Sequence, residues 1–262
     1  MQQERLDRIL SLLEEKPFLT VTEASELLSA SPATVRRDFN LLAQQHRLGR
    51  ARGGVVRSRQ PLGELPPFAV RQVRLTEEKA ALARRAVELL SPHDVVMVDG
   101  GTTTFHLTTC LPAFPLQIIT NSLRLASTLA EKSLSESPVE TYVTGGYLYP
   151  QSGLLVGPQA AKTLTQYHAN WAFLSAGGVN EQGVFNAPEH VIEAERTMIE
   201  HSDRVVVLAD QTKIGARSMC WLCPLTRIDM LITIAWPGNE KIIEQIEVAG
   251  VNVVQVPAPH RS

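Results

Sequence analysis

Two stretches of this chain carry residues whose types and spacing can do chemistry. The first is VVMVDGGTTTFHL, residues 95–107. An apolar run ends at Asp99, a turn of Gly100 and Gly101 follows, and Thr102, Thr103 and Thr104 come next. Glycines let a turn present its backbone amides, threonines add hydroxyls, and a helix beginning there adds the positive end of its dipole, so the pattern reads as an anion cradle. No lysine follows the glycines at P-loop spacing, and the run is not G-x-G-x-x-G. A turn with a purely structural role remains the alternative. The second stretch is SPATVRRDFNLL, residues 31–42. As a helix it turns Val35, Phe39 and Leu42 to one face and Ala33, Arg36, Arg37 and Asn40 to the other. Arginine forks onto guanine O6/N7 and asparagine pairs with adenine, so the outward set is what a recognition helix needs. Ser31 and Thr34 stand where a phosphate would fix its register. Asp38 reads as a local partner of an arginine, because a carboxylate facing phosphate is repelled. An interaction domain with solvated arginines would share the pattern.

Other polar clusters follow apolar runs: Thr120-Asn121-Ser122, Thr144-Gly145-Gly146, Ser175-Ala176-Gly177-Gly178 and Asp210-Gln211-Thr212-Lys213. Together they define one edge of a sheet as a polar crevice. Lys213 supplies a positive charge for a phosphate or an acidic sugar group, and Asp99 and Asp210 either bind sugar hydroxyls or cap the helices after them. Cys220-x-x-Cys223 lacks the further ligands of a structural zinc site, so no metal is expected. His106 follows the threonines, and Glu189, Glu193 and Glu195 with Arg196 form either a carboxylate cluster, a charged helix face or a joint between protomers. No Ser–His–Asp order or nucleophile elbow stands out. A DNA-binding regulator without a cofactor is expected rather than an enzyme; the alternative is a sugar-phosphate isomerase or deaminase-like enzyme with a DNA-binding head, using Asp99 as base.

The elements that must position these residues fall into two groups. Leu6, Ile9, Leu10 and Leu13 give one apolar face of a first helix, closed by Pro17. Thr20-x-x-Glu23 is a capping box opening a second helix with Ala24, Leu27 and Leu28, and Ser31-Pro32 opens a third. Gly53-Gly54 turns a short hairpin. Residues 58–75, with three prolines and no clear period, read as a linker. A helix over 77–90 follows. Seven strand-like runs then alternate with helical segments near 102–110, 122–133, 158–167, 188–201 and 239–249, which implies a mostly parallel sheet covered on both faces. The runs are 95–99, 116–120, 139–146, 171–178, 204–210, 230–234 and 251–256. The domains are thus read as 1–57, a linker over 58–75 and 76–258.

Charge supports the division. Residues 1–60 hold ten of the 25 Lys/Arg and seven of the 27 Asp/Glu, so they carry +3 and the remainder −5. Arg47, Arg50, Arg52, Arg57 and Arg59 lie within thirteen residues free of acids. A basic head on an acidic body suggests a polyanion partner for the head alone, with a solvated hairpin as the alternative. No apolar window of transmembrane length occurs and the N-terminus lacks signal-peptide features, so no membrane is expected. Three sparse cysteines fit a reducing cytoplasm.

The head resembles the DeoR family of bacterial sugar-metabolism repressors. The likeness is carried by Arg5, Ile9, Leu28, Ser31, Thr34, Val35, Arg36, Arg37, Asp38 and Leu41-Leu42, with Arg50 and Gly53-Gly54 in the wing. Phe68, Arg71 and Glu78-Lys79, then DGGTTT, TNS, TGG, 153–157, SAGGV, EHVIEAERTM and DQTKIG extend it over nearly the whole chain. Family members carry histidine where this chain has Arg52, leucine at Phe39 and phenylalanine at Ile214. The resemblance implies a winged helix-turn-helix followed by an α/β sensor domain related to ribose-5-phosphate isomerase. It further implies a homo-oligomer, dimer or tetramer, that binds double-stranded operator DNA through Ser31, Ala33, Thr34, Arg36, Arg37, Asn40, Arg50 and Arg52. A phosphorylated sugar would be sensed by a cradle at Gly101–Thr104, with Asn121 in the crevice, Gly177 and Gly178 lining it, and Asp99 and Lys213 touching the ligand.

Overall fold

Apolar spacing and caps build the head as expected. Helix α1 (Gln2–Glu15) buries Leu6, Ile9, Leu12 and Leu13. A short strand β1 (Phe18–Thr20), unmarked in the sequence, leads into α2 (Val21–Leu27). The capping box forms: Glu23 N–H donates to the Thr20 hydroxyl at 3.1 Å, and Thr20 N–H donates to the Glu23 carboxylate at 2.9 Å. Leu27, expected inward, is 54% exposed because α2 ends there and Ala24 fills the core instead. Helix α3 (Pro32–Gln44) buries Val35, Phe39 and Leu42. Strands β2 (Leu48–Ala51) and β3 (Gly54–Arg57) form the hairpin around Gly53, whose φ of +88° suits glycine. The antiparallel sheet runs β1-β3-β2.

This computed structural model describes residues 2–16, 18–44, 48–51, 53–57, 66–133 and 138–259. The chain forms two compact units, Met1–Pro61 and Leu62–Ser262. The expected helix stop at Pro17, most of the expected linker (58–65) and Arg52 lie outside the described residues.

In the second unit, part of the expected linker is folded. Helix α4 (Phe68–Gln72) buries Phe68, and α5 (Thr76–Val87) follows. The strands β4 (Val95–Val98), β5 (Leu116–Thr120) and β6 (Val139–Val143) come next, with α6 (Leu123–Ser133) between the last two. A hairpin of β7 (Tyr147–Tyr149) and β8 (Leu154–Val156) precedes α7 (Pro158–Leu164) and β9 (Ala169–Ser175). Then come β10 (Gly178–Asn180), β11 (Gly183–Asn186), α8 (Glu189–Glu200) and β12 (Ser202–Ala209). The chain closes with β13 (Cys220–Cys223), β14 (Met230–Ile234), α9 (Glu240–Val248) and β15 (Asn252–Val256).

The seven expected apolar runs are the seven strands of one sheet, ordered β15-β14-β12-β9-β4-β5-β6 and parallel throughout. Both faces are covered: Val96, Val98 and Phe173 pack with Leu82 and Leu125, while Met97, Ala172 and Leu174 pack with Leu164, Ile192 and Ile243. The remaining strands form small antiparallel sheets, β10-β11-β13 and β7-β8.

One expected helix is different. Residues 104–109 form a single 3-10 segment, because Thr104, Thr108 and Thr109 hydroxyls donate to the carbonyls of Gly101, Phe105 and His106 and compete with helical pairing. The turn therefore lacks the dipole of a long α-helix.

Candidate functional site

On the head, α3 presents a divided surface. Ser31, Ala33, Arg36, Arg37 and Asn40 are exposed, Thr34 is half-buried, and Val35, Asp38 and Phe39 face the core. The Thr34 N–H donates to the Ser31 hydroxyl at 3.2 Å, and the two hydroxyls stand 2.9 Å apart, so Ser31 caps the helix as its type suggests. Asp38 is turned inward onto the Arg5 guanidinium, which grips it with Nε and, at 3.2 Å, with Nη2. The arginine pair thus stands in front of a neutralised carboxylate. Arg50 lies on β2 opposite Val55.

In the second unit, the sheet itself selects the place. From β4 the chain steps to β5 on one side, and from the adjacent β9 it steps to β12 on the other. Such a switch point opens a crevice at the carboxyl ends of the two strands, where Asp99 and Ser175 stand. Asp99 is 1% exposed; it accepts the Asn121 side-chain N–H at 3.2 Å on Oδ1 and the Ser175 hydroxyl at 3.3 Å on Oδ2. The Asn121 oxygen accepts Gly100 N–H at 3.0 Å, and Gly101 N–H donates to the Thr104 hydroxyl at 2.8 Å. A Cβ on Gly101 would lie 2.0 Å from the Ser175 hydroxyl oxygen, so the corner requires glycine there.

A cavity of about 110 Å³ opens on this corner, and Asp99, Gly100, Gly101 and Ser175 line it. The other expected effector residues do not. Thr102, Thr103 and Thr104 are buried outside its lining, although the Thr102 and Thr103 amides have no acceptor among the described residues. Asn121 is spent on positioning the Asp99–Gly100 corner. Gly177 and Gly178 serve close packing against 216–218: a Cβ on Gly178 would lie 2.4 Å from the Ala216 carbonyl oxygen. Lys213 is half-buried beside the 3-10 turn capped by Asp210, whose Oδ1 accepts the Thr212 N–H at 2.9 Å. Ile214 belongs to the core.

Apart from Arg71, which belongs to the family resemblance, the cavity's remaining walls were not singled out in the sequence. They include Arg71, Tyr149, Gln151, Ser152 and Asn186. Behind Asn186 lies Glu195, fully buried, with one oxygen accepting the Asn186 side-chain N–H and the carboxyl set against Asp99. Burial, and then the charge of Asp99, push the Glu195 carboxyl well above the usual carboxylate range; burial also raises Asp99. The carboxylate cluster considered on α8 is thereby dissolved: Glu189 and Glu193 are exposed, and Arg196 donates to the Leu222 and Trp221 carbonyls.

Lys79 explains how the proline-rich segment is held. It is buried, and its ammonium donates to the carbonyls of Arg71 and, at 2.6 Å, Arg74. Burial, reinforced by the charges of Lys213, Arg71 and Arg74, lowers it to about 8 despite Asp210. An unfolded lysine holds its proton to higher pH, so the folded state gains stability as pH rises from about 8 towards the ordinary lysine value of 10.5. Thermal melts at pH 8 and 9.5 should show the parent gaining on Lys79→Met over that interval; parallel behaviour would remove the buried ammonium from the account.

Cys220 and Cys223 sit three apart on β13, and burial pushes the Cys223 thiol up to about 12, which makes it inert. Among the described residues no group of three His, Cys, Asp or Glu is placed to hold a metal, and no helix is long and apolar enough to cross a membrane.

Comparison with known proteins matches both units. A DeoR-like helix-turn-helix domain matches residues 5–60, and a DeoR C terminal sensor domain matches residues 74–234. The chain is 31% identical over 261 residues to the uncharacterized HTH-type transcriptional regulator YulB of Bacillus subtilis (strain 168), covering 98% of each. It is 31% identical over 248 residues to the HTH-type transcriptional regulator UlaR of Shigella flexneri, covering 95% of this chain and 96% of that one. Among solved structures, ribose 5-phosphate isomerase A from Methanocaldococcus jannaschii is 17% identical, with a TM-score of 0.36 over 53% of this chain and 54% of that one. A probable sor operon regulator from Shigella flexneri is 13% identical, with a TM-score of 0.41 over 65% of this chain and 88% of that one.

Proposed function

This chain belongs to the DeoR family of transcriptional regulators, and from that premise we propose that it is the repressor of a carbohydrate-metabolism operon whose grip on DNA is set by a phosphorylated sugar. Arg36, Arg37, Asn40 and Ala33 meet base edges in the major groove, Ser31 and Thr34 meet phosphate, and the Arg50–Arg52 wing lies along the backbone. The observation that supports this most directly is the outward Arg36–Arg37 pair beside an inward, neutralised Asp38. A cytoplasmic homo-oligomer would present two heads to paired half-sites.

The effector occupies the crevice at the switch point. Asp99 accepts a sugar hydroxyl, Asn121 and Thr104 hold the corner in shape, and Gly177 and Gly178 keep the neighbouring wall close. The Gly101–Thr103 turn and Lys213 supply the positive surroundings an anionic sugar needs. The reader keeps its expected span of 1–57; the sensor, expected over 76–258, takes in α4 as well, since Phe68 is buried and Arg71 lines the cavity.

The test couples the two sites. Operator affinity is measured by fluorescence anisotropy with and without a panel of sugar phosphates, and sugar-phosphate affinity is measured with and without operator. A tenfold loss of operator affinity must be returned as a tenfold loss of effector affinity, a coupling of about 1.4 kcal/mol. The active compound, at 100 times its dissociation constant, stabilises the protein by about 2.7 kcal/mol. Equal effector affinity in both settings would defeat the switch.

A further inference from the structure

We propose that Arg71 and Ser152 form an oxyanion subsite in the Asp99 cavity, so that the effector's acidic group is held by the proline-rich segment and not by the threonine turn. The inference rests on the reading that this crevice binds the effector, and it moves the direct contact with the ligand's anionic end from the Gly101–Thr103 turn and Lys213 to the proline-rich segment.

Arg71 lines the cavity from α4. Its Nε donates to the Pro66 carbonyl at 3.0 Å, which fixes the plane of the guanidinium. Its two Nη groups have no acceptor among the described residues, and no carboxylate there lies within ion-pair distance. A largely buried guanidinium with its fork open to a small cavity is a donor set for a phosphate or a carboxylate. Ser152 is a second, independent observation: it is 5% exposed, lines the same cavity, and its hydroxyl has no partner among the described residues. Buried polar groups left unpaired are costly, and an anion would satisfy both at once.

The opposite wall suits the rest of such a ligand. Asp99 accepts the Asn121 N–H on one oxygen and the Ser175 hydroxyl on the other, and it also faces the Glu195 carboxyl; a carboxylate has about four lone-pair sites, so it can still take a ligand hydroxyl. The threonine turn is the weaker candidate for the anion, because the Gly100 and Gly101 amides are engaged by Asn121 and Thr104, and Thr102 and Thr103 lie outside the cavity's lining. The chemical class is therefore a hydroxylated oxyanion, either a sugar phosphate or a sugar acid. The segment is anchored to the sensor by Phe68 N–H on the Gln151 carbonyl at 3.3 Å and by Lys79 on the Arg71 and Arg74 carbonyls. In the chain it directly follows residues 58–65, which join it to the head.

The full-length protein is titrated with inorganic phosphate, ribose 5-phosphate and gluconate, with ligand-induced stabilisation as the readout. Arg71→Met is expected to weaken phosphate binding at least tenfold and Ser152→Ala about threefold, with Arg71→Lys intermediate. Arg85→Met, which removes a half-buried arginine paired with Glu88 outside the cavity's lining, should bind as the parent does. Stronger stabilisation by ribose 5-phosphate identifies a phosphate ester as the ligand, and stronger stabilisation by gluconate a carboxylate. A parent that responds to none of the three overturns the subsite. So does an Arg71→Met protein that responds like the parent, or a Thr103→Ala protein that alone loses the response. If Arg71→Met lacks a folding transition, parental binding by both Arg71→Lys and Ser152→Ala is the overturning result. Operator affinity is read in the same samples: Arg71-dependent anion binding without any change in operator affinity sinks the effector reading and leaves the subsite standing.

Discussion

Replacing Arg36 and Arg37 together with alanine is expected to lower operator affinity roughly 100-fold or more, since each bidentate guanine contact is worth about 1–3 kcal/mol. Both side chains are exposed, and neither contributes to the head's core of Val35, Phe39 and Leu42, so far-UV circular dichroism and the melting transition should be those of the parent. Where either arginine neutralises a phosphate, its replacement makes the slope of log affinity against log salt shallower by roughly 0.9. Base reading and phosphate neutralisation are therefore separable: a loss that varies with operator sequence marks the first, and a uniform loss with a shallower slope marks the second. Arg5→Met provides the contrast. It strands the buried Asp38 and should abolish binding by unfolding the head, visible as a weaker helical signal. Parental operator affinity in the Arg36→Ala, Arg37→Ala double variant would remove α3 from the interface.

The recognition helix and the threonine turn were legible to different degrees, for physical reasons. The recognition helix is local: cap, first proline and apolar spacing all lie within one short stretch, and even the inward turn of Asp38 follows from its charge. The seven strands were legible because a strand buried on both faces is a continuous apolar run. Their order was not, since such a run records burial and says nothing of its neighbours. The switch point between β4 and β9, which decides where the crevice lies, is accordingly a property of topology alone.

The threonine turn misled for a local reason. Glycines followed by threonines resemble a helix start, but β-branched threonines are poor helix formers, and here their hydroxyls bond the preceding carbonyls. What the motif offers the cavity is its Asp99–Gly101 corner. Arg71 was named only through the family resemblance, and its setting hid its place at the cavity. Helix α4 has five residues, too few to show a period, and three prolines nearby give the segment the composition of a linker. Phe68, buried against Phe105 with ring centroids 5.7 Å apart, was the one apolar signal that the segment folds back onto the sensor.

Glu195 gives the second large effect. Glu195→Ala should destabilise the sensor by about 3 kcal/mol, because it opens a cavity in a closed site and leaves one Asn186 side-chain N–H without its acceptor, the other still donating to the Ser175 carbonyl. Glu195→Gln should hold or exceed parental stability at pH 8. The glutamine oxygen still accepts from Asn186, and its amide N–H supplies the donor that a protonated carboxyl would turn towards Asp99. Burial first, and Asp99 second, hold the Glu195 proton in the folded protein well above the usual 4.5. The unfolded chain releases that proton near 4.5, so between there and the higher folded value the native state binds more protons and loses stability as pH rises. Glutamine cannot ionise, so this contribution to the slope disappears. Urea unfolding at pH 5 and pH 8 separates the cases: the parent should lose more stability over the interval than Glu195→Gln does. Identical pH dependence in the two proteins would mean that Glu195 is ionised at neutral pH, leaving two negative charges at the cavity floor and an acidic effector without a place beside them.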